Sequence, residues 1–198
     1  MRNNSDPKND GQLIKQAHSS PEAFAKLYRR HYDAIFRYCA HRLFDRHLAE
    51  DVTSTVFLTA VKNFRRFKGA EIQFRNWLYR IATNAVNLHL RKNIRRANLL
   101  KMAAEKAHNS DCTYSEHKID PRANPAALKE ALLTLRPRYQ AIITLRYFEN
   151  LKLTEIAQVL GGSNGTVRSQ LSRALARLRK ALDCDAAVGR PGGNTNER

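Results

Sequence analysis

The sequence predicts an all-α protein: two small helical domains joined by a polar linker, the C-terminal one containing a helix-turn-helix. Three observations predict it. Apolar residues recur at three- and four-residue steps through most of the chain, and no segment alternates with period two for long. Between residues 97 and 126 the composition shifts to turn formers, with Pro121 and Pro125, which interrupts the helical pattern with a tether. Near the C-terminus the run GGSNGTVRSQLSRALARLRKAL, residues 161–182, sets two glycines and a small polar cluster directly before a long basic helix.

The elements follow in order. Residues 1–19 form a flexible, polar start with a short helix over 12–18. Ser20, Pro21 and Glu22 supply a cap, a first-turn proline and a first-turn acid. Phe24, Leu27, Tyr28, Ile35, Phe36 and Cys39 then keep a helical period to about residue 43. A second helix is predicted over 48–64, with Val52, Val56, Phe57, Ala60 and Phe64 facing inward. A glycine-containing loop spans residues 68–73. The third long helix starts near Phe74 or Arg75, with Trp77, Leu78, Ile81, Ala85 and Leu88 on one side and Arg80, Arg91, Lys92, Arg95 and Arg96 elsewhere. These elements make a domain over 20–96, followed by the linker, which opens on a possible helical extension.

The second domain covers 127–183. Leu128, Leu132, Leu135, Ile142, Ile143, Leu145, Tyr147 and Phe148 supply its first apolar positions. The segment 153–160 begins with Thr154 as cap and Glu155 in the first turn, and Ile156, Val159 and Leu160 give its apolar side. Gly161 and Gly162 break that helix, and Ser163 caps the next. In the last helix Val167, Leu171, Leu175, Leu178 and Leu182 define the buried face. Residues 184–198 are a flexible tail.

Charge narrows the function. The chain has 198 residues, with 35 Lys and Arg against 18 Asp and Glu, a net charge of +17 and a pI near 10.3. That excess points to a polyanionic partner, nucleic acid or an anionic membrane surface. No apolar run reaches membrane-spanning length and no secretory signal precedes the first helix, so the expectation is a cytoplasmic protein with no membrane partner. Cys39, Cys112 and Cys184 are odd in number and widely spaced, which suits reduced thiols and neither a disulfide frame nor a zinc site. His31, His41, His47 and Asp51 fall in no HExxH or phosphate-gripping pattern, so neither catalysis nor a metal or cofactor is expected.

The basic helix has the chemistry that duplex DNA asks for. Thr166, Arg168, Ser169, Ser172, Arg173 and Arg177 fall largely away from its apolar face, with Ser163 and Asn164 at its start. Arg pairs with guanine edges, and Ser, Thr and Asn with bases or phosphates. Taken alone, the segment also fits a plain helical hairpin with a solvated basic face.

The two domains together resemble a known family. Residues 20–92 carry AFAKLYRRHYDAIFRYCAHRL, AEDVTSTVFLTAVKNFRRF and FRNWLYRIATNAVNLHLRK, and resemble the second region of the small extracytoplasmic-function sigma factors of bacteria. Residues 128–182 are similar to the fourth region of the same family. The resemblance implies a dissociable, non-enzymatic subunit of core RNA polymerase that recognises promoter DNA and is often held by an anti-sigma protein. It implies that Glu50, Asp51, Val56 and Phe57 dock on the polymerase clamp. It also implies that Lys68, Gly69, Ala70, Glu71, Ile72 and Gln73 hold a flipped base of the downstream element, a step that costs a few kcal/mol of unstacking. Asn63, Arg65, Arg66 and Phe67 would support strand separation. Arg75, Asn76, Arg80, Asn84 and Arg91 would lie against the opening duplex. Ser54, Thr55, Asn87 and the Leu135-Arg136-Pro137 run depart from the family pattern; Asn87 in particular removes an acid that could pair with a neighbouring Arg. A stand-alone helix-turn-helix regulator binding duplex DNA as a dimer is the alternative reading.

Overall fold

The computed structural model describes residues 10–105 and 125–188; residues 1–9, 106–124 and 189–198, which hold parts of the predicted start, linker and tail, lie outside the described residues. In order the elements are α1 (Asp10–Ala17), α2 (Pro21–Leu43), α3 (Arg46–Asn63), a 3-10 turn (Phe64–Arg66), α4 (Glu71–Glu105), α5 (Pro125–Thr134), α6 (Pro137–Ile143) with a π turn (Thr144–Phe148), α7 (Leu153–Leu160) and α8 (Asn164–Val188). No strand occurs among the described residues.

Local chemistry sets most of these boundaries. Ser20 caps α2 by accepting the Ala23 N–H at 3.3 Å, with Pro21 in the first turn. The helix ends where Phe44 turns left-handed, φ 52°, its N–H donating to the Ala40 carbonyl. Asp45 then caps α3 through the Leu48 N–H at 3.0 Å, so α3 begins at Arg46, ahead of the predicted start. Likewise α4 begins at Glu71 and absorbs half of the predicted 68–73 loop. Gln73 Oε1 accepts the Ala70 N–H at 2.5 Å and Glu71 stands in the first turn, both favourable at a helix N-terminus. At its other end α4 continues to Glu105, so the first part of the predicted linker is helical.

Two further expectations are corrected. Glu155, and not Thr154, completes the start of α7: its Oε2 accepts the Lys152 N–H at 2.7 Å, one residue before the helix. Tyr147 and Phe148 are 54 % and 37 % exposed, because the π turn rotates them off the inward face. Gly161 ends α7 at φ 65°, the conformation that favours glycine, and Ser163 starts α8 by accepting the Thr166 N–H at 3.1 Å.

A continuous apolar core runs from α1–α4 into the C-terminal half. Leu27, Ile35, Val56, Phe74, Leu78 and Val86 belong to the same cluster as Ile142, Leu145, Leu151, Ile156 and Val167. Leu132, Leu135, Ile143 and Ala174 form a second cluster between α5, α6 and α8. At the junction Arg42, 1 % exposed, donates to Tyr38 Oη (2.8 Å), Asn87 Oδ1 (2.9 Å) and the Pro137 carbonyl (3.1 Å). A guanidinium held by a phenol, an amide and a carbonyl ties the two halves together at residue 137.

Candidate nucleic-acid and polymerase interfaces

On α8 the burial of Val167 and Ala174, both 0 % exposed, turns the opposite side outward. Ser163, Asn164, Thr166, Arg168, Ser169, Ser172, Arg173 and Arg177 are all exposed. The Ser163 and Thr166 hydroxyls lie 2.9 Å apart, and Ser169 donates to the Thr166 carbonyl at 3.0 Å. Arg177 lies over the Tyr139 ring at 5.2 Å, which ties it to its own domain. One neighbour was not anticipated: Arg138 of α6, donating through Nε to Gln170 Oε1 at 2.9 Å, comes beside Gly162 and extends the basic face. Its position at the start of α6, a helix of seven residues remote in sequence from α8, gave no signal.

The face of α4 is in a different condition. Asn84 and Arg91 are exposed, Asn84 in a groove of about 410 Å³ between α3 and α4. Arg75 and Asn76 instead meet the C-terminal half, and Arg80, though exposed, stands beside it. Arg75 Nη2 pairs with Glu155 Oε1 at 2.5 Å, and Asn76, 4 % exposed, donates to Gln158 Oε1 at 2.7 Å. Arg80 Nη2 lies 3.0 Å from where a Cβ on Gly161 would stand. Next to them the Tyr79 hydroxyl donates to Glu149 Oε2 at 2.8 Å. Burial raises the Glu149 carboxyl above its ordinary range, with the Tyr79 hydrogen bond and Arg37 opposing. Burial, then Arg37, lowers His41, whose Nδ1 stands 4.0 Å from Glu149 Oε1. Neither of those two atoms has a hydrogen-bond partner.

Within the loop region, Phe67 is 9 % exposed and its ring packs on Phe74 (centroids 5.5 Å), Trp77 (5.0 Å) and Phe64 (6.2 Å). It is therefore a wall of the core and not an open stacking platform. A Cβ on Gly69 would stand 2.6 Å from Phe67 Cζ and 2.8 Å from Gln73 Cβ, so only glycine fits there. Lys68, Ala70, Arg65 and Arg66 are exposed, while Asn63 spends its amide on the Thr59 carbonyl at 2.8 Å. Glu71, Ile72 and Gln73 form the first turn of α4, with Ile72 58 % exposed.

On α3, Asp51 is exposed and Glu50 pairs with Arg46 at 3.1 Å. Val56 and Phe57, 0 % and 4 % exposed, are core, so a partner cannot reach them; their apolar character expresses packing and not docking. The accessible stripe is Asp51, Ser54, Leu58 and Val61, at helical spacing, with Leu58 62 % and Val61 53 % exposed. Exposed apolar residues about two and three turns beyond an acid were the missed signal. Among the described residues no His, Cys, Asp and Glu group is placed to hold a metal ion, and no helix is long and apolar enough to cross a membrane.

Comparison with known proteins gives a consistent picture. Residues 27–96 match the model of sigma-70 region 2, and residues 126–178 match that of sigma-70 region 4. The chain is 32 % identical over 180 residues to the ECF RNA polymerase sigma factor SigW of Bacillus subtilis, covering 85 % of this chain and 94 % of SigW. It is 30 % identical over 176 residues to the ECF RNA polymerase sigma factor BldN of Streptomyces coelicolor, covering 88 % of this chain and 66 % of BldN. Among solved structures, CnrH in complex with the cytosolic domain of CnrY is similar with a TM-score of 0.62 at 25 % identity, over 89 % of this chain and 98 % of that one. The sigma factor RpoE in complex with the anti-sigma factor NepR from Bartonella quintana shares the fold, with a TM-score of 0.60 at 20 % identity over 82 % and 98 % of the two chains.

Proposed function

The chain belongs to the sigma-70 family, in its extracytoplasmic-function group, and we infer that it joins core RNA polymerase and directs it to promoters. The observation that carries this reading is the presence of both family regions, in order, in one basic chain. A stand-alone dimeric regulator has no need of region 2, and gives way to it. The protein acts without a catalytic centre of its own, in the cytoplasm and on the nucleoid when bound to polymerase.

The roles divide by face. Asp51, Ser54, Leu58 and Val61 meet the polymerase, an acid and two apolar side chains suiting a partner helix that offers Arg and aliphatic groups. Arg168, Ser169, Ser172 and Arg173, with Ser163, Asn164 and Thr166 at the helix start, read the upstream element in the major groove. Lys68, Gly69 and Ala70, with the first turn of α4, hold a base of the downstream element, and Arg65, Arg66 and Arg91 carry its phosphates. Arg75 and Asn76 join them only after α7 leaves α4, because Glu155 and Gln158 hold them in this arrangement, whereas Arg80 is exposed beside Gly161. Promoter engagement therefore separates the two halves. An anti-sigma protein, as in the solved complex of RpoE with NepR, is the partner we assign to the restrained state.

Run-off transcription with bacterial core polymerase and promoter fragments from the same genome tests this reading. Specific transcripts are expected, and Asp51→Arg should abolish them together with co-elution with core. Absence of both, with tight duplex binding by the protein alone, overturns it.

A further inference from the structure

Helix α1 lies before the residues that match region 2, and no role has been attached to it. Eight residues make a helix too short to hold in water unaided, and Ile14, 4 % exposed, with Leu13 and Ala17 packed on the same core, gives it an apolar anchor. Yet its first residue buries a carboxylate. Asp10 is 2 % exposed, with Oδ1 accepting from Arg30 Nη1 and Oδ2 at 2.8 Å from His31 Nε2. Burial opposes its ionisation, but the His31 and Arg30 contacts prevail and hold the carboxyl below its ordinary range. Burying such a group stabilises little beyond what an apolar contact gives; what it supplies is one fixed geometry.

That geometry leads to the loop. The His31 ring meets the edge of Phe74 at 5.3 Å and 73°. Phe74, 1 % exposed, meets Phe67 at 5.5 Å and 70°, and Phe67 Cζ presses on the backbone at Gly69 so closely that no Cβ fits. At the other end of α1, His18 packs on Phe64 at 4.8 Å, and Phe64 in turn touches Phe67 and Phe74. We propose that Asp10 is a positioning residue for the downstream-element loop: through His31 and Phe74 it fixes the Phe67 ring, and that ring sets the backbone path at Gly69. The proposal rests on the reading of residues 68–73 as the base-holding loop.

The test uses the full chain with core polymerase on two templates, a duplex promoter and the same promoter pre-melted by mismatches across the downstream element. Asp10→Ala is expected to lower duplex transcription about tenfold, the scale of losing a buried charge-assisted contact, while the pre-melted template loses less than about twofold. Asp10→Asn, which keeps an acceptor for Arg30 or His31, should fall between, and it carries the test if the alanine variant fails to fold. Trp77 is the chain's single tryptophan and touches both Phe67 and Phe74, so its emission should shift with either variant. Gly69→Ala should show the same template dependence, and adding Asp10→Ala to it should cost nothing more. Equal losses on both templates, tracking a lowered melting temperature, would mean that α1 only stabilises the fold and would overturn the proposal. An unchanged duplex rate would overturn it as well. Failure of the underlying reading looks different: the unaltered protein then gives no promoter-specific transcript from either template.

Discussion

The basic faces of α8 and α4 are built from the same residue types and stand in opposite conditions. On α8, the side chains from Asn164 to Arg173 that point away from Val167 meet solvent, and among the described residues only Arg138 of α6 reaches this stretch, at Gln170. On α4, Arg75 and Asn76 are held by Glu155 and Gln158 of α7, and Arg80 lies against the glycine that ends it. The chain thus presents the face we assign to the upstream element while its own C-terminal half covers part of the one we assign to the downstream element. The difference teaches that a helix face is a local property and its availability is not. Both faces follow from helical spacing, but only α4 has a second helix laid across it.

The largest expected effect tests the open face. Arg168→Ala with Arg173→Ala should weaken binding to an upstream-element duplex by about 100-fold or more, since each well-placed Arg–base contact is worth roughly 1–3 kcal/mol. Anisotropy titration checks it, and single-stranded downstream DNA should bind unchanged. Opening the covered face should have a smaller effect. Glu155→Gln keeps an acceptor for the Lys152 N–H and removes the charge opposite Arg75. The Arg75 side chain is 41 % exposed, so solvent discounts the pair, and the gain in binding of a single-stranded downstream fragment should be roughly threefold. A matching rise in interdomain distance by energy transfer between labels on α3 and α8 would sharpen the comparison; no change in either would break it.

Acidity acts on the same interface. Glu149 is raised by burial, so the closed arrangement favours its protonated form, is helped by that group below the ordinary glutamate range, and loses the help as pH rises through the raised value. Glu149→Gln should therefore raise the melting temperature by roughly 2–4 °C at neutral pH, and the gain should vanish in acid. A gain independent of pH would point to packing alone. Of similar size is Gly161→Ala, which puts a Cβ on a left-handed residue and should cost about 1 kcal/mol in urea unfolding. With Arg80 only 3.0 Å from that Cβ, it should also loosen α7 from α4.

Much of the fold was legible in the sequence. Ser20 and Ser163 as caps, Gly161 as a helix stop and the inward phase of Val52, Phe64, Leu78 and Val167 all follow from short-range chemistry. Where reading along the chain failed, the deciding contact came from elsewhere or from a competing cap. The start of α4 moved because Gln73 caps backward onto Ala70, and at α7 the cap differs from the expected Thr154 because Glu155 does the same to Lys152. Val56 and Phe57 carry an apolar signal that serves docking and packing equally well, and only burial separates them from Leu58 and Val61.

By itself the sequence determined the helical class, the capped basic helix and the order of two regions, because spacing, caps and glycine turns act within a few residues. Tertiary structure alone decided which candidate side chains stay available: Asn76 sealed beneath Gln158, Phe67 turned into a wall, Asp10 buried between Arg30 and His31. The outcomes at Asp10 and Asn76 depend on pairs separated by twenty to more than eighty positions in the chain, and that at Phe67 on how the turn before α4 folds its ring back onto Phe74 and Trp77. The free energy of burying a polar group depends on what meets it there, and neighbours along the chain do not specify that.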